Sequence, residues 1–171
     1  MKGHPGGEAH SLRMLELAGL PPGAAILDMG AGAGETLSLL RGLGYAARGL
    51  DLVPRSALVE KGNFLKTPFP DGAFDAVLSQ CAFYVSGRAE AALCEACRLL
   101  KPGGKLLLSD VFFSEPHPLL EAAGFHVLHT EDLTPLWRDY FLEALWREED
   151  GCCTIPRGKC RYWLLIAERR E

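Results

Sequence analysis

The chain has 171 residues, 48% of them hydrophobic, with 22 acidic against 18 basic side chains and a net charge of -4 at pH 7. That length suits one domain around a single core, and the lack of a basic block argues against a nucleic-acid groove or an anionic membrane surface. No apolar run reaches transmembrane length and the first ten residues are too polar for a signal peptide, so the six cysteines are expected to be thiols in a reducing, cytoplasmic compartment.

Residues 2–8 form a glycine-rich lead-in, Gly3-His4-Pro5-Gly6-Gly7 within it. It reads either as a frayed terminus or as a segment folded over a ligand, which would bring His4 and His10 to the site. Residues 9–20 have helical spacing, with Leu12, Leu15 and Leu17 largely on one side, and stop at Pro21-Pro22-Gly23. Residues 24–27 are an apolar run, read as a buried strand, and residues 35–43 read as a helix. Between them Gly30, Gly32 and Gly34 make a turn with no side chains in the way. A ligand can approach the backbone there and sit over the N–H groups that open the helix.

A dinucleotide fingerprint, G-x-G-x-x-G/A, would place its third small residue at position 35, where Glu35 stands. The third glycine comes one residue early, and Asp28 stands two residues before the first. This D-x-G-x-G-x-G pattern resembles motif I of the class I S-adenosylmethionine (SAM) methyltransferases. The resemblance implies that the Asp28 carboxylate and the backbone at Gly30, Ala31 and Gly32 hold the cofactor's amino-acid end.

Residues 45–50 read as the second strand, ending on Asp51, twenty-one residues after Gly30. At that spacing an acidic residue accepts two hydrogen bonds from the ribose diol; the other reading is a surface aspartate that starts a turn. Leu52 would pack on the adenine face. Before Gly62-Asn63-Phe64 there is room for about two helical turns, so a stub helix at residues 55–58 and a very short third strand are expected. The family usually carries Gly-Asp followed by a small or apolar residue there. Asn63 would take the adenine amino group through its amide oxygen, with Phe64 beside it.

Pro68-Phe69-Pro70-Asp71-Gly72 leads into a buried strand at residues 76–79, a second resemblance to the family, here to its type 11 group. The strand's carboxyl end faces the ligand crevice. Gln80 is placed at the methionine part of SAM, while Cys81 and Tyr84 are acceptor-side candidates or, alternatively, a core cysteine and a half-buried tyrosine. Residues 88–100 read as a helix burying Leu93, Ala96, Cys97 and Leu100. Its Cys94-Glu95-Ala96-Cys97 lies mid-helix, where no thiolate is stabilised for redox work. Lys101-Pro102-Gly103-Gly104 then resembles the L-(K/R)-P-G-G turn before the family's fifth strand, which closes on Ser109-Asp110.

A short helix (118–123), a sixth strand (125–130) and a last strand (161–168) complete the chain. The insert at 132–160 opens with Leu133, Leu136, Trp137, Tyr140, Phe141, Ala144 and Leu145 at amphipathic helical spacing. That helix packs on the sheet flank, caps the acceptor pocket, or forms a homodimer face across residues 133–145. Cys152, Cys153 and Cys160 could join Cys81 in a site for a soft acceptor. Their spacing matches no zinc motif, and no metal site is expected.

The expected fold is α/β, a Rossmann-like three-layer sandwich over residues 1–171 with a mostly parallel seven-stranded sheet, an antiparallel last strand, and a shortened second helix and third strand. The resemblance implies a SAM-dependent methyltransferase acting on a small-molecule acceptor by in-line displacement, leaving S-adenosylhomocysteine. Tyr84, Asp110 and His117 are positional candidates for a base, needed only where the acceptor arrives protonated. The alternatives are a thiol or metalloid acceptor held by the cysteines, a non-catalytic SAM-binding scaffold, and a nicotinamide oxidoreductase, which Glu35 and the Pro-Gly-Gly turn oppose.

Overall fold

A computed structural model describes residues 3–146 and 158–170, with all their side chains except those at 144 and 145. The order is α1 (Gly7–Ala18), β1 (Ala25–Met29), α2 (Glu35–Gly42), β2 (Ala46–Asp51), β3 (Glu60–Lys61), β4 (Phe74–Gln80), α3 (Ala89–Leu99), β5 (Leu100–Phe112), α4 (His117–Ala122), β6 (Phe125–Asp132), α5 (Thr134–Trp146) and β7 (Arg161–Arg169). The strands form one sheet in the order β3-β2-β1-β4-β5-β7-β6. β1 to β5 pair in parallel, and β7 lies antiparallel between β5 and β6.

The period-two alternation of strand side chains sorts the core into two layers. Leu27, Val77, Leu106 and Leu108 pack with Leu93 and Leu99 of α3 and Leu120 of α4. Ile26, Ala76, Leu78 and Leu107 pack on the other face with Met14 and Leu15 of α1 and Leu37 and Leu40 of α2. Strands buried on both faces must be apolar throughout, which is why the central ones read as continuous runs. Each such leucine or isoleucine contributes about 2 kcal/mol by leaving water. A third, aromatic cluster joins Trp137 and Phe141 of α5 to Val111 and Tyr162. The insert helix therefore packs on the flank of β7.

Two expectations change. Residues 52–59 run as bends and one turn rather than a stub helix at 55–58. β3 pairs Glu60 with Leu50 and Lys61 with Asp51, at the far end of β2, so the chain never returns along the sheet and a crossover helix has nothing to span. Ser56 Oγ also accepts the Leu58 N–H at 3.3 Å, a local bond that competes with helix. β5 starts earlier than Lys105, because Leu100 pairs with Phe74 and a register shift absorbs the Pro-Gly-Gly turn. Among the described residues, no helix is long and apolar enough to cross a membrane.

The loop before β4 is fastened to α3 by one guanidinium. Arg98 donates to Glu95 (2.7 and 2.9 Å), Asp71 (2.6 Å), the Phe69 carbonyl (2.9 Å) and Thr67 Oγ1 (3.2 Å). Burial pushes the Glu95 carboxyl up, but the Arg98 fork and the Thr67 N–H and hydroxyl more than offset this and bring it to about 2. Its contribution is thus complete above the ordinary glutamate range and lost as pH falls towards 2. Arg98→Met is expected to cost about 3 kcal/mol at neutral pH, since it strands a mostly buried carboxylate. Urea denaturation at pH 7 and pH 3 checks this: the cost should shrink at the lower pH.

Candidate functional site

A cavity of about 540 Å³ opens at the carboxyl ends of β1, β2 and β4. The strand order reverses between β1 and β4, so this is the topological switch point of the sheet. Asp28, Gly30, Ala31, Gly32, Asp51, Leu52, Asn63, Phe64 and Gln80 all line it. The nine positions expected around a cofactor are therefore gathered in one place.

The glycine loop is braced from within. The Gly30 and Ala31 N–H groups donate to the Leu50 carbonyl at 2.9 and 3.0 Å, and Gly34 N–H to the Ala31 carbonyl at 2.7 Å. Gly32 N–H donates to Asp51 Oδ2 at 2.9 Å. The first, second and fourth of these bonds face the end of β2 and that of Gly34 turns back on the loop itself, so all four amides are engaged within the protein. The expectation placed a ligand over the N–H groups that open α2, and those of Glu35, Thr36 and Leu37 take no part in this bracing.

Asp28 is buried, and no hydrogen bond reaches its carboxylate among the described residues. Burial, with the Asp51 charge adding, pushes its carboxyl up to about 7. Asp51 accepts from Gly32 N–H and, through Oδ1, from Val53 N–H at 2.8 Å. It therefore both starts a turn and locks the glycine loop to β2, and each oxygen keeps a second lone pair. Asn63 Oδ1 already accepts the Leu65 N–H at 2.9 Å, leaving one lone pair for a ligand. Phe64 is buried with its ring 5.7 Å from Phe83.

Gln80 sits in a polar cluster at the other end. Its Oε1 accepts from Thr36 Oγ1 at 3.0 Å and Ser11 Oγ at 3.3 Å, and its Nε2 lies 3.3 Å from His4 Nδ1. His4 lines the cavity, so the lead-in does fold over it. Burial lowers the His4 pKa, which favours the neutral ring. Burial and the neighbouring His4 bring His10, which packs beside it, down to about 4. Ser11, Thr36 and Arg55 carried no signal in the sequence, and Glu35 served there only to reject a dinucleotide fingerprint. Thr36, Glu35 and Arg55 line the cavity as well, and Ser11 reaches Gln80 only because α1 packs across the sheet.

The acceptor-side candidates fare differently. Cys81 lines the cavity with a backbone φ of 58°, and its thiol lies 3.5 Å from the Tyr162 hydroxyl. Tyr84 does not line it; its ring packs 5.7 Å from Phe113. Asp110 is buried away from it, accepting the N–H groups of Phe83 (2.8 Å), Tyr84 (3.1 Å) and Val111 (2.8 Å). Burial nevertheless pushes its carboxyl up to about 6. In this structure neither residue meets the cavity, because Asp110 is occupied by the backbone of the 83–84 loop and Tyr84 by the aromatic cluster. His117 lies on α4, bonded to Glu115 and Thr130. Cys160 packs on the same aromatic cluster as Cys81. Cys152 and Cys153 fall outside the described residues, among which no group of three potential ligands could hold a metal.

Fold and crevice define a Rossmann-like α/β protein with its ligand cavity at the β1/β4 switch point. Residues 27–108 match the family model described as a methyltransferase domain. Demethylmenaquinone methyltransferase of Beutenbergia cavernae is 33% identical over 163 residues, covering 82% of this chain and 67% of that protein. The Tropheryma whipplei (strain Twist) enzyme of the same name is 30% identical over 132 residues, covering 70% of this chain. The chain belongs to the class I SAM-dependent methyltransferase family. It spans little more than half, 54%, of the Tropheryma relative's length. Among solved structures, phosphoethanolamine N-methyltransferase 2 of Haemonchus contortus with SAM superposes at a TM-score of 0.76 and 19% identity, covering 98% of this chain and 54% of that one. The cyclase SpnF does so at 0.76 and 22%, covering 95% and 81%. At such identities these two show the fold alone.

Proposed function

We propose that the protein transfers a methyl group from SAM to a small-molecule acceptor. The observation that carries this is the pairing of Asp28 and Asp51 across a braced glycine loop. Two carboxylates on one cavity suit a ligand bearing an ammonium and a ribose diol better than one bearing a pyrophosphate, whose negative charge they would repel. Asp28 has an unpartnered carboxylate for the ammonium, Asp51 has free lone pairs for the diol, Leu52 and Phe64 flank the base, and Asn63 keeps one acceptor for its amino group. Gln80, with Thr36 and His4, takes the amino-acid end. Tropheryma and Beutenbergia relatives are named for demethylmenaquinone, and one from Gibberella zeae for a sterol. These names support a small organic acceptor.

Bound there, SAM supplies an electrophilic methyl group. The chain's residues hold donor and acceptor in line and keep water out, and alignment alone can account for most of the acceleration. Asp110 positions the loop at 83–84 rather than moving a proton, and Tyr84 packs on the aromatic cluster beside Cys81. The thiol-acceptor alternative retains Cys81 and Cys160, and a relative from Aquipseudomonas alcaligenes is named arsenite methyltransferase. The non-catalytic scaffold alternative rests on the general point that fold does not fix chemistry. The buried Trp137 and Phe141 favour α5 as flank over α5 as dimer face. The free thiols of Cys81, Cys94, Cys97 and Cys160 fit a cytoplasmic setting.

Calorimetric titration with SAM, S-adenosylhomocysteine and NADH tests the reading. Micromolar binding of the two adenosyl compounds is expected, weakened about a hundredfold in Asp51→Ala by loss of two charge-assisted hydrogen bonds. Binding of NADH alone would overturn it.

A further inference from the structure

The insert helix reaches the cofactor cavity through the lead-in. Tyr140, on α5, donates its hydroxyl to the Gly3 carbonyl at 2.9 Å. One turn back, Leu136 packs on the same segment: a Cβ on Gly6 would lie 3.1 Å from Leu136 Cδ2 and 2.7 Å from His10 Cβ. On the segment's other side, a Cβ on Gly3 would lie 2.9 Å from Glu35 Oε2, at the start of α2. The strap is therefore wedged between α5 and α2, and it is there that Gly3 and His4 enter the cavity wall. His4 is fixed in turn by Ser11 Oγ at 3.2 Å and its place beside Gln80.

We propose that Tyr140 is a positioning residue that clamps the N-terminal strap over the cofactor cavity, so that α5 and cofactor retention are coupled. α5 also carries the aromatic cluster against which Cys81 and Tyr84 pack. An acceptor seated beside that cluster would bear on the helix that holds the strap, and cofactor and acceptor binding would then influence each other. This rests on the SAM reading for its ligand but not for its geometry.

Two measurements keep those apart. In the ligand-free chain, Tyr140→Phe should speed amide exchange at Gly7 and His10, whose N–H groups bond to the His4 and Gly6 carbonyls, about five-fold, the effect of one neutral hydrogen bond. Exchange in β4 should not change. In calorimetry, Tyr140→Phe should weaken S-adenosylhomocysteine about five-fold in the full chain and not at all in a chain lacking residues 1–5, with His4→Ala standing in if that truncation does not fold. Unchanged exchange at Gly7 and His10 would overturn the clamp, and an equal loss in both backgrounds would show Tyr140 acting by another route. A wild-type chain that binds no adenosyl compound would sink the SAM reading and leave the exchange result to decide the clamp.

Discussion

Gly30→Ala is expected to abolish measurable SAM binding and to lower stability by about 4 kcal/mol, from backbone strain and overpacking together. Gly30 has a φ of 89°, beyond the left-handed well that L-residues tolerate. A Cβ there would lie 2.3 Å from the Cβ of Ala82. That neighbour has no rotatable side chain to swing aside, and its loop is pinned by the Phe83 and Tyr84 amides on Asp110. The glycine loop must move instead, breaking the Gly30 and Ala31 bonds to Leu50 and displacing the wall shared by Asp28 and Asp51. Gly23→Ala is the control. Its φ is 75°, but nothing lies within 4 Å of the added atom, so it should bear strain alone, about 1 kcal/mol. Urea denaturation of both variants separates strain from overlap, and adding Ala82→Gly to Gly30→Ala should restore the part due to overlap. Wild-type SAM affinity in Gly30→Ala would show that the glycine loop is no part of the binding site.

What the sequence made legible was local chemistry with a fixed period or spacing. The apolar runs of β1 and β4, the glycine turn between a strand and a helix, and an aspartate ending the next strand each follow from backbone geometry. So does the antiparallel β7, whose apolar core stands out after the long insert. Contacts between distant segments were not legible. Asp110 stands at a strand end facing the crevice, where an acid could be catalytic, and only the folded 83–84 loop reveals the amides that occupy it. Ser11, Thr36 and His4 meet at Gln80 from three separate elements, a meeting set by the packing of α1. The stub helix failed for a related reason. Its length was counted correctly, but whether residues become helix or turn depended on where β3 pairs along β2. The thiol cluster rests partly on residues 152 and 153 and gains only Cys81 and Cys160 from the fold.

Asp28→Asn is expected to leave the ligand-free protein better folded at high pH while removing most of its affinity for SAM. Burial, with Asp51 adding, holds the Asp28 carboxyl at about 7 against an unfolded value near 3.8. The folded chain thus keeps a proton through that window which the unfolded chain has lost. Stability is complete below the unfolded value and falls as pH rises to about 7, by at most about 4 kcal/mol. Asparagine cannot ionise, so the difference in unfolding free energy between variant and wild type should move in the variant's favour by up to that amount between pH 4 and pH 8. Taking a difference across pH cancels whatever the buried amide costs by itself. Binding runs the other way. The ionised carboxylate is the form that pairs with an ammonium, so wild-type affinity for SAM should climb as pH approaches 7 and release a proton. It should then level off near pH 8, where an α-amino group loses its own charge. In Asp28→Asn that rise should disappear and affinity at pH 7.5 should fall at least a hundredfold. Calorimetry in buffers of different ionisation enthalpy counts the released proton directly. If wild-type affinity is flat from pH 6 to pH 8 and no proton is released, Asp28 is not the ammonium partner, and its buried carboxylate takes no part in holding the cofactor.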